Sequence, residues 1–201
     1  MTETPPPPPD LPPLQLPVLT PRLRLRTHRR DDAEALLGIY SQPAVARYLL
    51  DEAWTPTLAA EKTAERLTCT GLDTSAASLA LIIEHDTAVI GDVTLWQTGG
   101  TRATAEIGWV LDPAHSGRGY ASEAVAAVLA VAFDHYRLHR VSAQMDARNT
   151  ASARLARRVG MIAEAHLRQD WWSKGEWTDT LIFGMLADDR LAGTCSLNPG
   201  T

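Results

Sequence analysis

Covalent and metal scaffolding is nearly absent from this sequence. Two cysteines, Cys69 and Cys195, stand far apart in 201 residues, without metal-ligand spacing. That count argues against a disulfide framework or a cysteine-built zinc site and fits a reducing, cytoplasmic compartment. The histidines form no pair at ligand spacing, so no metal is expected. No apolar run approaches the ~20 residues that span a bilayer, and no charged-then-apolar leader pattern is visible. A membrane is therefore not an expected partner. Basic residues are outnumbered, with a formal net charge of -5. A nucleic-acid binder usually carries a clustered basic domain, so nucleic acid is not expected either. The negative balance mildly suits steering of a cationic small partner.

Two nucleotide-binding signatures are missing as well. A glycine turn occurs at Gly117 and Gly119, but no Gly-Lys-Ser/Thr closes it, so it is not a P-loop. The third glycine of a dinucleotide fingerprint is replaced by Ser122, and repeated β-α-β units are not seen.

What is present suffices for one domain with a real core: hydrophobic residues make up 45%. Residues 1–19 are proline-rich and predict an extended, solvated tail, since proline lacks the N–H of a helix or ladder. The domain is expected over 20–187, with a second tail over 188–201 that shows no periodicity. Arg22 to Arg26 alternates arginine and leucine, as one solvated face of a strand does. Asp31 and Asp32 open a helix that Pro43 interrupts, and Thr57 to Thr68 predicts another. Leu79–Ile83, Ala88–Trp96 and Ala105–Leu111 read as an antiparallel meander with turns at His85-Asp86 and Gly99-Gly100. Val125, Val128, Leu129, Ala132, Phe133 and Tyr136 recur at helical spacing. A strand over His139–Met145, a short helix from Asn149 and a last hairpin around Ser173–Glu176 complete the order. The expectation is α+β, a mostly antiparallel sheet of about six to seven strands, with one parallel crossover through the long helix.

The stretch Ser116-Gly117-Arg118-Gly119-Tyr120-Ala121-Ser122 sits at a strand-to-helix junction. The first turn of a helix has unpaired N–H groups and an electropositive dipole end, so it is a ready anion site. Asn149 and Ser152 stand where ordinary N-capping of the short helix is also expected.

These fragments, in this order, resemble the GNAT (Gcn5-related N-acetyltransferase) superfamily, and within it the RimJ/RimL-like ribosomal-protein N-terminal acetyltransferases. The carriers are Thr20-Pro21-Arg22-Leu23-Arg24-Leu25-Arg26, Asp31-Asp32-Ala33, Ile90-Gly91, the Ala105–Leu111 strand, the glycine turn, Asn149-Thr150-Ala151-Ser152, Gly160-Met161 and Gly175-Glu176-Trp177-Thr178-Asp179. Ser116 departs from the Gln or Arg that usually opens the superfamily's turn. The resemblance implies a GNAT-type sheet with helices on both faces, acetyl-CoA as co-substrate and a primary amine as acceptor, either a protein N-terminus or a small amine. It implies that main-chain N–H groups of Gly117, Gly119, Tyr120 and Ala121, with Ser116, Ser122 and the charge of Arg118, hold the CoA pyrophosphate. Trp109, Val110 and Leu111 would face the pantetheine arm, with an N–H near Val110 or Leu111 polarising the thioester carbonyl.

An ammonium must lose a proton before it attacks, and Glu106, on one face with Gly108 and Val110, is the candidate base; Asp92 and Asp170 are weaker substitutes. Many members use a tyrosine to meet the leaving thiolate, but none follows Tyr136 here. Ser152 is the candidate in its place, and Asn149 the partner of a pantetheine amide. Arg154, Arg157 and Arg158 read as a solvated helix face. Trp171, Trp172 and Trp177 are expected near the acceptor entrance, and a homodimer through the last hairpin is possible. The alternative reading is a non-catalytic module that senses CoA with the same turn.

Overall fold

The computed structural model describes residues 12–99 and 102–190. Most of the proline-rich leader, Gly100 of the Gly99-Gly100 turn, Cys195 and the end of the expected C-terminal tail lie outside these residues. The chain order is β1 (Val18–Leu19), β2 (Arg24–Thr27), α1 (Ala33–Tyr40), α2 (Pro43–Ala46), α3 (Pro56–Arg66), β3 (Thr70–Gly71), β4 (Ser78–His85), β5 (Ala88–Gln97) and β6 (Thr104–Leu111). Then come α4 (Tyr120–Ala130), which continues into a π-helical turn over Val131–His135, β7 (Arg140–Asp146), α5 (Thr150–Arg158), β8 (Ile162–Ser173) and β9 (Glu176–Leu186).

The strands form one sheet in the order β1-β2-β4-β5-β6-β7-β9-β8, with β3 added on β4. Every pairing is antiparallel except β6 with β7. The sheet has nine strands rather than six or seven. The additional β1 and β3 are two residues each, too short to show a period in sequence.

β4 is an interior strand, and Leu79 to Ile83 are fully buried there. That is why it reads as a continuous apolar run and not as an alternation. One core joins the sheet to α4 and α5 through Leu81, Ile107, Val125, Val128, Leu155 and Phe183. The other lies across the opposite face, where Leu36, Ile39, Tyr40, Trp54 and Ala59 meet Ile82 and Val110. Helices therefore cover both faces. Proline starts α2 and α3 at the first turn, where its missing N–H costs nothing, and Thr55 caps α3 by accepting from Leu58 N–H at 3.2 Å. No helix among the described residues is long and apolar enough to cross a membrane.

Three expectations need correction. Residues 12–19 are not a free tail: Leu14, Leu16 and Val18 pack on the core, and β1 pairs with β2. Leucines spaced between the prolines supply apolar contacts that composition alone hides. At the other end residues 187–190 are helical, and Asp189 accepts from Leu186 N–H at 2.9 Å. The arginine face of β2 is solvated only in part: Arg24 is exposed, as is Arg22 before it, but Arg26 is not. Arg26 is 6% exposed and donates to both oxygens of Asp32, at 2.8 and 2.7 Å, and to Glu84. Arg24 also meets Glu84, at 2.7 Å. The helix start at Asp32 thus serves as counter-ion to a buried guanidinium, which needs such a partner.

Candidate active site

The glycine turn is built to leave donors free. Asp112 Oδ1 accepts from Ala114 N–H at 3.1 Å, and the His115 and Ser116 N–H groups bond back to Asp112 and Pro113 carbonyls. The next N–H with a protein acceptor is that of Glu123, on Gly119 O at 3.0 Å. Between them, the N–H groups of Gly117 to Ser122 have no protein acceptor among the described residues. Gly117 and Gly119 have φ of +78° and +82°, a region that L side chains enter at a cost. Gly119 is the N-cap of α4, so the helix dipole adds to the exposed donors. The rear of the turn is tied down. Arg22 Nη1 donates to Arg118 O at 2.9 Å, its Nε donates to Glu123 Oε2 at 2.7 Å, and its guanidinium stacks 4.7 Å from the Tyr120 ring centre. Tyr120 OH lies 2.8 Å from His85 Nε2. Carbonyls face protein while N–H groups face outward, the arrangement of an anion nest.

Beside this turn the sheet opens. β6 pairs with β7 only at Thr104, Ala105 and Glu106. Beyond Glu106, β7 continues along β9 and leaves the β6 flank bare. Asp112 N–H donates to Ile90 O at 2.8 Å, toward β5, and Ser142 Oγ meets Ala105 O at 3.4 Å, toward β7. By alternation, Ile107, Trp109 and Leu111 turn their N–H and C=O into the gap, while Gly108 and Val110 turn theirs to β5. The candidate carbonyl-polarising donor is therefore Leu111 or Trp109 rather than Val110. On the other flank Gly91 lets β5 approach β6 closely, since a Cβ there would stand 2.2 Å from Val110 O.

A cleft of about 430 Å³ runs along this opening. Trp109, Val110, Leu111, Ser116, Gly117, Gly119, Tyr120, Ala121, Ser122, Asn149 and Ser152 all line it. Asn149 caps α5, its Oδ1 accepting from Ser152 N–H at 3.0 Å. Neither Asn149 Nδ2 nor Ser152 Oγ has a protein hydrogen bond among the described residues. Arg118 stands apart from the cleft wall, with its side chain exposed. Arg154 and Arg158 line the cleft, and Arg158 Nη1 donates to Ser122 Oγ at 3.3 Å. Arg157 instead stacks on Phe183 at 5.2 Å. The α5 arginines are thus split between cleft and core edge.

Glu106 does not line the cleft. It sits on the face shared with Gly108 and Val110, roughly 13 Å along the strand from Val110 by strand rise. Gln144 Nε2 donates to its Oε2 at 3.0 Å. Burial raises its pKa above the ordinary 4.5, and the Gln144 bond only partly opposes this. Trp96, opposite Glu106 in register, lies over Gly108, where a Cβ would be 3.2 Å from the ring. Asp92 is unsuited to proton transfer: it is 2% exposed, accepts from Tyr40 OH at 2.6 Å and faces Arg66 at 3.0 Å. Asp170 is exposed on β8.

The wall opposite α5 is made by Val45, Tyr48 and Leu49 after the start of α2. Sequence reasoning missed Trp96 and Gln144 beside Glu106. Counting register from the Glu106 strand would have found Trp96; no local signal marks Gln144. Trp54, in the loop before α3, is buried and stacks on Tyr40 at 3.9 Å. Trp171, Trp172 and Trp177 are about half exposed at the hairpin tip, the latter two edge to face at 5.4 Å. Among the described residues no group of three or more His, Cys, Asp or Glu could hold a metal ion.

Comparison with known proteins agrees with this geometry. The acetyltransferase (GNAT) domain family matches residues 22–162. The uncharacterized N-acetyltransferase YnaD of Bacillus subtilis (strain 168) is 27% identical over 172 residues, which cover 86% of this chain and 98% of YnaD. The crystal structure of a GNAT-family acetyltransferase from Bacillus anthracis is similar at TM-score 0.78 and 25% identity, over 85% of this chain and 98% of that one. RimL, the ribosomal L7/L12 alpha-N-protein acetyltransferase, in complex with coenzyme A, shares the fold at TM-score 0.74 and 18% identity, over 87% of this chain and 99% of its own. The bare donor nest, the opened strand pair and the family match together place this chain in the GNAT family, as an acetyl-CoA-dependent N-acetyltransferase.

Proposed function

We propose that the protein moves the acetyl group to a primary amine by direct attack within a ternary complex, and that the amine is a peptide N-terminus or a small amine, as in RimJ/RimL-like enzymes. The observation that carries this reading is the run of unpaired N–H groups from Gly117 to Ser122 opening onto the bare flank of β6. A pyrophosphate fits the first, because it needs convergent donors and a positive helix end. An amide-bearing arm fits the second, because a bare strand edge pairs with amides as another strand would.

In this reading Gly117 to Ser122 hold the pyrophosphate through their main chain, with Arg158 and Arg154 nearby as cations. The main-chain groups of Trp109 and Leu111, with Asn149 Nδ2, hold the pantetheine arm. Acetyl-CoA supplies the activated thioester. The neutral amine attacks its carbonyl carbon; the new C–N bond forms as the C–S bond breaks. Leu111 or Trp109 N–H stabilises charge on the carbonyl oxygen, and Ser152 Oγ donates to the departing thiolate sulfur. Glu106 receives the amine's proton through intervening water, since it lies back along the strand from the cleft. Its burial-raised pKa brings it nearer to the working range of a general base.

The test combines purified protein and acetyl-CoA with an N-terminal peptide library and a panel of small amines. Free thiol release and mass spectrometry of the products are followed together. Acetylated amine with stoichiometric free CoA is the expected outcome. Tight CoA binding with no acetylated product anywhere in the panel would instead identify a CoA sensor.

A further inference from the structure

Lysine is nearly absent from this chain: Lys62 and Lys174 are the only two among 19 basic residues. Lys174 occupies a conspicuous place. It is the first residue of the two-residue turn between β8 and β9, flanked by the pair Ser173 and Glu176. Both turn residues have positive φ, +51° at Lys174 and +82° at Gly175. Such type I′ turns favour Asn, Asp or Gly at the first position. A lysine there keeps the backbone in a costly region, and such strain persists only where surrounding contacts hold it.

The contacts are specific. Lys174 Nζ donates to Leu49 O at 2.8 Å and also to Ala46 O. Ala46 is the last residue of α2, and its carbonyl also accepts from Leu49 N–H at 3.1 Å, so the ammonium adds a second donor to that oxygen and joins it to the Leu49 carbonyl. The segment so held is the cleft wall formed by Val45, Tyr48 and Leu49. The same turn grips the opposite side. Glu176 Oε1 accepts from Arg148 Nη1 at 2.8 Å, and Arg148 Nη2 donates to Asp146 Oδ2 at 2.7 Å. Arg148 immediately precedes Asn149, the cap of α5. The turn therefore straps the α2 wall to the β7–α5 junction across the cleft. A compact ammonium with three donors suits two convergent carbonyls, where a planar guanidinium fork does not.

We infer that Lys174 is a positioning residue for the amine acceptor, fixing the wall of Val45, Tyr48 and Leu49 without touching the reacting atoms. The inference rests on the acetyl-transfer reading for its kinetic consequence, though not for its structural one. Lys174→Asn is the informative substitution, because Asn-Gly is a preferred type I′ turn and the hairpin keeps its fold. The expected result is an unchanged or higher Tm, roughly tenfold faster hydrogen exchange at amides of residues 45–50, and CoA affinity within about twofold of the parent. With the best acceptor from the panel, KM for the amine rises roughly tenfold while kcat stays within about threefold, equivalent to about 1.4 kcal/mol of acceptor binding. Lys174→Arg falls between the two. Unchanged exchange over 45–50, or unchanged amine KM beside faster exchange, overturns the inference. If the parent protein acetylates no amine, exchange alone decides the strap, and it is the transfer reading that fails.

Discussion

Gly119 matters through what it lacks. Its φ of +82° turns the following N–H groups toward one point, and a Cβ there would lie 3.4 Å from Arg22 Nη2, an ordinary contact. Gly119→Ala therefore acts through backbone strain of about 1–2 kcal/mol and not through a clash. The expected outcome is a drop of a few degrees in Tm and at least a tenfold loss in CoA affinity, read by calorimetry. Glu106 lends itself to a different measurement. As a base it works deprotonated, so activity falls as pH drops through its pKa. Burial places that pKa above 4.5, so the acid limb of kcat/KM lies above the ordinary carboxylate range. In Glu106→Gln that limb disappears and kcat falls about a hundredfold, while CoA binding is retained. An unaltered limb in the variant would assign it to the acceptor amine or to another group.

At the scale of elements, α5 carries two duties in one residue. Asn149 Oδ1 caps the helix through Ser152 N–H, and its Nδ2 is left for the cleft. Substitution can separate them. Asn149→Asp keeps a capping oxygen but has no amide donor, whereas Asn149→Ala loses both. Stability should fall by about 1 kcal/mol in the alanine variant alone, while CoA affinity falls in both; equal affinity in the aspartate variant would leave only the cap. Elements with a strong period were legible in the sequence. The α4 face from Val125 to Tyr136 is buried as its spacing predicts, and the glycine turn stands at the junction its flanks announce. What escaped depends on distant partners. Arg26 looks solvated until Glu84, 58 residues on, folds against it. What anchors the α2 wall has no local pattern, because Lys174, 125 residues from Leu49, supplies the contact. β1 and β3 escaped because two residues cannot display a period.

The whole molecule rests one face of its sheet on a polar cluster. Arg66 pairs with Asp92 at 3.0 Å and stacks 5.1 Å from both Tyr40 and Trp54, and Asp92 sits beside Val110 in register, under the cofactor edge. Removing one member of a buried pair costs about 3–5 kcal/mol, because the other charge stays buried. Asp92→Asn should lie near the lower end, since Arg66 keeps 20% side-chain exposure, and urea unfolding will show it. His28 belongs to the same cluster. Its Nε2 is 3.7 Å from Asp92 Oδ2, too far for a hydrogen bond, and neither ring nitrogen has a partner among the described residues. Burial pushes its pKa from 6.5 down to about 4, with Asp92 opposing too weakly to reverse the shift. The unfolded chain therefore binds a proton at a pH where the folded protein does not. Stability is full above pH 6.5 and is lost progressively as pH falls toward about 4, by about 3 kcal/mol in all at ~1.4 kcal/mol per unit. The paired carboxylates Asp32 and Glu84 have lowered pKa values, so their contribution is lost only below the ordinary carboxylate range. Urea titrations across this window should show the slope, and His28→Gln should flatten it between pH 6.5 and 4 while leaving the steeper loss below intact. A slope that survives the substitution would place the proton uptake elsewhere in the molecule.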